Sequence, residues 1–465
     1  MNDLTKGKPL KLIFWFTIPL LIGNIFQQFY SLSDTLIVGQ TLGVKALAAV
    51  GSTGSVQFLI IGFAQGLTAG LSILTAQHYG AKDYKGVRRS FAISIVVSLI
   101  VGIILTIISL IFVDHILLIM QTPTDIINDA RIFLQIMLGG MLAPIAFNLL
   151  SNIIRALGDS RTPLWFLIIS SLINIGLELL FILGFHWGIA GAGWATILAQ
   201  LIASLMCVVY IVVKVPILHI GRRHFKLKMA EVKAHLRVGL PMAFQMSIIA
   251  IGTIVLQAAL NSLGTNSVAA TTAAQKIDQL ATQPLMSFGV TMATFAAQNY
   301  GAHQYERIIT GVKQTMWLSG SFSVAAGIIE IIWGKQLVGL FVGHQDVAVL
   351  NLSQTYFNII GSTYILLSML FIMRNTLQGL GRSAVPTIAG AAELFMRVFA
   401  ALILVRLLAY PGACMSEPLA WLGSCAVLLP AYIGAVRGLR QQAHDERRRP
   451  KNVQPALETV AKDEI

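Results

Sequence analysis

The sequence predicts an all-α polytopic membrane protein of twelve transmembrane helices, arranged as two parallel six-helix repeats. Three observations carry this. Hydrophobic residues make up 56% of the 465 and charged residues 11%, with a mean hydropathy of +0.75, whereas a soluble domain carries about 25% charge. Twelve segments have the roughly 20 mostly apolar residues needed to cross a hydrocarbon core. Short motifs of the first half recur in order in the second, 221–223 residues later. So few charges cannot cover a soluble surface, and a soluble enzyme is excluded.

The segments fall near 12–38, 46–74, 91–113, 130–152, 164–184 and 189–213, then 240–262, 268–297, 316–342, 352–373, 386–408 and 418–437. The first follows a basic start, as a signal peptide would. Its apolar run continues past Gly23 to Val38 without a small-residue cleavage site, so it reads as a span. Breakers separate later segments: Gly80, the stretch Asp159 to Pro163, Gly301, and Gly381 to Pro386. The alternating ten-residue runs of a strand barrel do not appear.

Basic residues orient the bundle. Of 33 Lys and Arg, 27 fall in the two terminal segments and the even-numbered connections, including Lys82, Arg88, Arg155, Arg161, Arg307, Arg374 and Arg382. The opposite face holds Lys45, Arg131, Lys335 and Arg406. By the positive-inside rule both termini are cytoplasmic. The net charge of +13 therefore marks a membrane face and implies no nucleic-acid partner. Lys276 and Arg397 remain inside spans. Cys207, Cys414 and Cys425 have no framework or metal spacing and read as small buried apolar groups. The nine histidines are scattered.

The internal repeat is direct. Ala76-Gln77-His78-Tyr79-Gly80-Ala81 returns as Ala297-Gln298-Asn299-Tyr300-Gly301-Ala302. Leu42-Gly43 returns as Leu263-Gly264, Pro19 as Pro241, and Asn152, Leu157, Gly158, Ser160 and Pro163 as Asn375, Leu380, Gly381, Ser383 and Pro386. Six spans per half is an even number, so both halves start from the same face and the repeats are parallel. The expected organisation is an N-terminal lobe (1–213), a basic cytoplasmic linker (214–239), a C-terminal lobe (240–437) and a polar tail without fixed structure (438–465). Duplicated bundles with a cavity between them suit transport by alternating access; a plain scaffold is the other reading.

Ionisable groups inside spans are costly and call for a function or a partner. Asp34 shares a polar stripe with Gln27 and Tyr30, and no cation shares its span. Asp34 either holds a coupling ion or lies near enough to the outer end for water to solvate it. Glu178 has Asn174 one turn earlier, and span 6 offers Thr196 beside Gly191-Ala192-Gly193. These hard oxygens suit a proton or Na⁺ and not a soft transition metal. Lys276 and Asp278, two apart, do not share a helical face and need separate partners. Glu393 and Arg397 are one turn apart, either a structural pair or a substrate or gating contact. Glu330 is expected to reach the outer interface.

Pro19, Asn24, Gln28, Asp34, Gly39, Gly43 and Ala48-Ala49-Val50-Gly51 resemble the first span and loop of the multidrug and toxic compound extrusion (MATE) transporters. So do the Gln-x-Tyr-Gly-Ala turns, the loop Arg155 to Ser160, and Asn174 through Thr196. The resemblance runs from about residue 10 to 437. It implies a V-shaped pair of lobes, monomeric in the cytoplasmic membrane, exporting small amphipathic or cationic compounds in exchange for H⁺ or Na⁺, with no other cofactor and no enzymatic activity. Within the DNA-damage-inducible (DinF-like) branch, it places the cation at Asp34, Asn174, Glu178 and Thr196. Glu178 stands where the family usually has Asp. The C-lobe glutamate that other members carry in span 7 has no counterpart between Leu240 and Ser262. The resemblance also places a hinge at Pro19 and leaves Gln27, Tyr30, Lys276, Asp278, Glu393 and Arg397 as candidate substrate or gating contacts. A lipid-linked oligosaccharide flippase of the same superfamily is the alternative. A polytopic lipid-modifying enzyme would need clustered acidic or histidine motifs that are not in the sequence.

Overall fold

The computed structural model describes residues 3–120, 122–342 and 346–448. Among these there are no strands, and helices make twelve passes. The first lobe contains α1 (Pro9–Leu42), α2 (Val44–Gly80), α3 (Tyr84–Ile119), α4 (Ile127–Gly139 with Leu142–Ala156), α5 (Arg161–Gly184) and α6 (Ile189–Lys214). The second contains α7 (Met229–Asn261), α8 (Thr265–Gly301), α9 (Tyr305–Val342), α10 (Val347–Gly361 with Tyr364–Gly379), α11 (Ala384–Leu408) and α12 (Ser416–Arg448, after a short turn Tyr410–Cys414).

Nine described helices are each long and apolar enough to cross a membrane, and α4 and α10 qualify when their halves, bent by 44° and 49°, are taken together. Side-chain hydroxyls help make the second bend. Thr363 Oγ1 donates to the carbonyl of Ile360 at 2.8 Å and Ser362 Oγ to that of Ile359 at 2.9 Å, competing with the helical ladder. α8 has 37 residues but is more polar, carrying Gln275, Lys276, Asp278, Gln279 and Gln283 within three turns. Such a helix is tolerated when neighbouring helices enclose its polar face, and Asp278 does face α9 and α10.

The duplication is visible in the backbone. Equivalent glycines occupy left-handed conformations, Gly43 with Gly264 (φ 85° and 93°) and Gly158 with Gly381 (φ 87° and 77°), which explains why glycine recurs there. α5 and α11 each contain a π-helical turn at equivalent places, Leu180–Gly184 at the end of α5 and Ala400–Leu404 one turn before the end of α11.

The lobes meet along the halves nearest the face that carries the start of α1 and the end of α12, here the basic face. α2 lies against α7 so closely that a Cβ on Gly66 would sit 2.4 Å from the Met242 carbonyl oxygen. Gln77 Nε2 donates to the Gly379 carbonyl at 2.9 Å, and its repeat counterpart Gln298 donates to the Ala156 carbonyl at 2.7 Å. Among the described residues, no hydrogen bond between lobes lies nearer the opposite face than Asn24–Ser287. The two lobes therefore diverge from a closed base, the V expected from the resemblance.

Two boundaries differ from expectation. The linker is shorter, because α7 already begins at Met229. Its first turns dock on α3 through Arg89–Glu231 at 2.8 Å and Ser90–His235 at 2.8 Å, so 229–239 forms part of the helix. At the other end, α12 continues through Arg448, its last turns tied to the second lobe by Arg447–Glu306 at 2.6 Å and Glu446–His303 at 3.3 Å. Residues 438–448 are therefore helical; 449–465 lie outside the described residues. Leu4, Ile13, Phe16 and Leu20 pack into the core of the second lobe, so the start of the chain and of α1 bridges both lobes.

Candidate functional site

Three helices of the first lobe converge on one polar centre. α1 presents Tyr30 and Asp34, α5 presents Asn174 and Glu178, and α6 presents Thr196. The small residues of α6 permit this approach, since a Cβ on Gly191 would lie 3.1 Å from that of Phe181 on α5. Thr196 Oγ1 donates to the Ala192 carbonyl at 3.1 Å, so its oxygen is left to accept. It accepts from Asn174 Nδ2 at 3.3 Å and lies 3.5 Å from the Tyr30 hydroxyl. With its amide nitrogen so engaged, Asn174 turns its carbonyl oxygen to the interior.

The donors here, Asn174 Nδ2 and the Thr196 hydroxyl, are spent on Thr196 and on the Ala192 carbonyl, and none is aimed at the remaining acceptors. Asn174 and Glu178 are fully buried. Asp34 Oδ1, Asn174 Oδ1 and both carboxyl oxygens of Glu178 are buried without a hydrogen-bond partner. Asp34 and Glu178 are within mutual hydrogen-bonding reach, yet neither brings a donor when ionised. Unmatched buried acceptors are costly. A proton between the carboxyls, or a hard cation among these oxygens, would satisfy them. The four residues singled out from sequence thus share one site. Of the two companions on their stripe, Tyr30 joins it and Gln27 is exposed.

The second lobe holds two further polar groups. Glu393 pairs with Arg374 of α10, and Arg397 lies 3.7 Å from the other Glu393 oxygen and 2.8 Å from Glu417 of α12. The pair expected within α11 is therefore part of a four-residue chain of alternating charge. Arg374, assigned from sequence to the cytoplasmic face, is buried in that chain. The second group joins Asp278 and Glu330 through the hydroxyl of Tyr364. Glu330 was expected at the interface, but it is 2% exposed because its side chain turns inward to that hydroxyl. Lys276 is exposed and forms no ion pair among the described residues. Sequence reasoning missed Tyr364, Glu417 and Arg374; the acidic and basic members carried the usual signal of a charge near a span, but Tyr364 carried none.

Twelve passes in two equivalent lobes, closed on one face and each enclosing an acidic centre, define a two-lobed membrane transporter. A family model, MatE, matches residues 19–180 and 241–403, once in each lobe, and the chain belongs to that family of multidrug and toxic compound extrusion transporters. It is similar to two proteins of Bacillus subtilis (strain 168). With the probable multidrug resistance protein YpnP it is 30% identical over 382 residues, 82% of this chain and 84% of that protein. With the probable multidrug resistance protein YoeA it is 29% identical over 380 residues, 80% and 82% of the two. Its fold matches a structure described as the outward-facing conformation of a multidrug resistance MATE family transporter of the MOP superfamily. That match has a TM-score of 0.86 and 25% identity, and covers 94% of this chain and 98% of the other.

Proposed function

We propose that the chain is a secondary active exporter of the DinF-like branch, exchanging small amphipathic, often cationic compounds for H⁺ or Na⁺ bound at Asp34, Asn174, Glu178 and Thr196. The observation that carries this reading is the set of buried, unpartnered oxygens these residues bring together. The names of the relatives, multidrug resistance proteins, support the substrate class. The basic face is then cytoplasmic, the protein a monomer of the cytoplasmic membrane, and the described conformation is closed towards the cytoplasm.

Pro19 supplies a means of coupling. It lies inside α1, where it removes one N–H from the ladder and weakens the helix. On either side of it α1 is tied to α8, by Thr17–Thr291 at 2.8 Å and Asn24–Ser287 at 3.1 Å. An ion that draws Asp34 towards Glu178 pulls the outer half of α1 onto α5 and α6, against those ties. Binding to one conformation better than the other is what moves the equilibrium. The flippase alternative calls for free buried cations in the central cavity, whereas Arg374 and Arg397 are taken up by Glu393 and Glu417.

The deciding experiment is efflux of a fluorescent organic cation from proteoliposomes under an imposed pH gradient and, separately, an imposed Na⁺ gradient. At least one gradient is expected to accelerate export; indifference to both would overturn the proposal. Thr196→Val removes the oxygen that orients Asn174 and Tyr30. A hydrogen bond of that kind contributes about 1 kcal/mol, so apparent affinity for the coupling ion is expected to fall roughly fivefold with the fold retained. A titration of gradient-driven efflux against ion concentration measures it.

A further inference from the structure

Two carboxyl groups in the second lobe meet at a single phenol. The Tyr364 hydroxyl of α10 contacts Asp278 Oδ1 of α8 and lies 2.6 Å from Glu330 Oε2 of α9. Tyr364 and Glu330 are 1% and 2% exposed, while Asp278 is half-buried. A tyrosine hydroxyl carries one proton. One O–H cannot fill two oxygen–oxygen contacts of hydrogen-bond length, so the second contact requires a proton on one of the carboxyls, donated to the phenol oxygen.

The surroundings supply no cation to replace it. Tyr356 of α10 turns its hydroxyl to Asp278 and is neutral. Glu417 of α12 faces the group with a negative charge, already engaged by Arg397 at 2.8 Å. Tyr410 and Cys414, in the turn before α12, are neutral; the Tyr410 hydroxyl accepts from Thr271 at 3.0 Å. Lys276 is on α8 itself but is exposed, and no ion pair among the described residues involves Asp278 or Glu330. Independently of the proton count, Glu330 Oε1 is buried with no hydrogen-bond partner. An ionised Glu330 would leave a charged acceptor unmatched there, whereas a neutral acid leaves a weaker carbonyl oxygen.

We propose that Asp278, Tyr364 and Glu330 form a second proton-binding site, in the lobe opposite the Asp34 pair. Half-buried Asp278 is its entrance and buried Glu330 its store. A proton arriving on Asp278 passes to the Tyr364 oxygen as Tyr364 gives its own proton to Glu330 Oε2. The phenol ends neutral, Asp278 is ionised again, and Glu330 has gained the proton. This site does not use α7, whose carboxylate Glu231 lies in the first turn, before the apolar span, and is bound to Arg89 near the basic face. Its use in transport rests on the exporter reading; the proton itself does not.

The test is infrared difference spectroscopy of the purified protein in lipid, titrated across pH without Na⁺, on an Asp34→Asn, Glu178→Gln background that silences the first lobe. A carboxylic acid carbonyl band is expected to titrate there and to disappear when Glu330→Gln is added. Tyr364→Phe preserves the packing volume and is expected to shift that band, since the acid loses its partner. A band unmoved by both substitutions, no titrating band at all, or a band removed by Na⁺ at constant pH would overturn the proposal. The exporter reading is judged apart, by gradient-driven efflux of the wild-type chain: its failure there would leave the band in place.

Discussion

Protein carrying Asp34→Asn is expected to fold and reach the membrane but to lose gradient-driven efflux. The substitution keeps the shape of the side chain and removes its charge. In the folded protein Asp34 Oδ1 is buried and unpartnered beside fully buried Glu178, so nothing stabilising depends on the negative charge. Melting temperature in detergent should stay level or rise. Transport should behave otherwise, because an amide neither takes up a proton nor offers an anionic ligand to Na⁺. The two lobes then lose the free energy that ion binding contributes to switching. Coupling energies between sites are typically worth 5- to 150-fold, and a loss of about that size in the initial rate is the expected result. Asn also mimics the protonated acid, so conformational probes should find the variant fixed in the state that wild-type protein favours when loaded. Glu178→Gln should behave alike. Normal efflux by a well-expressed Asp34→Asn protein would remove the first lobe from the mechanism.

Much of this was legible because a membrane imposes simple rules on sequence. Each of the twelve segments became a helix or a bent helix pair, eleven of them long and apolar enough to cross a membrane, since a helix is the way a single strand of chain satisfies its own backbone in lipid. The segment 268–297 was counted as apolar like the others, but α8, which it became, is more polar than the helices that are long and apolar enough to cross a membrane. Asp34, Glu178, Asn174 and Thr196 stood out as polar groups where polarity is costly, and the fold brings them together. The errors have a common cause. Depth in the membrane is read from distance along the chain, but partners come from other helices. Arg374 and Glu330 were placed near the surfaces by counting residues; Glu393 and Tyr364, on neighbouring helices, hold them inside. The reach of α12 to Arg448 depends on ion pairs with Glu306 and His303, well over one hundred residues away in the chain. Helical spacing within one segment shows nothing of such pairs.

The recurring Gln-x-Tyr-Gly-Ala turn was read as a mark of duplication and of family resemblance, and its glycines also have a structural task, since each abuts the other lobe's turn across the pseudo-symmetry axis. A Cβ built on Gly80 would lie 1.9 Å from the Gln298 carbonyl oxygen, and one on Gly301 would lie 1.8 Å from that of Gln77. The obstacle in each case is backbone, which no rotamer change can clear. Each turn therefore needs glycine to let the other lobe's glutamine-bearing turn approach, and the same glutamines make the bonds to Gly379 and Ala156. Neither clash exists inside a lobe, so Gly80→Val with Gly301→Val should leave each bundle folded and act on closure of the base. Overpacking typically costs about 1–3 kcal/mol per site. Two equivalent sites at even 1 kcal/mol each shift the ratio of closed to open base by roughly 30-fold. Spin labels at Lys85 and Gln304, exposed just beyond the two turns, should then report a longer and broader distance distribution, with the single variants intermediate. Efflux should fall in parallel, since a base that no longer closes cannot present the opposite opening. Unchanged distances in a folded double variant would mean that the seam yields elsewhere, and that these glycines do not control the closed state.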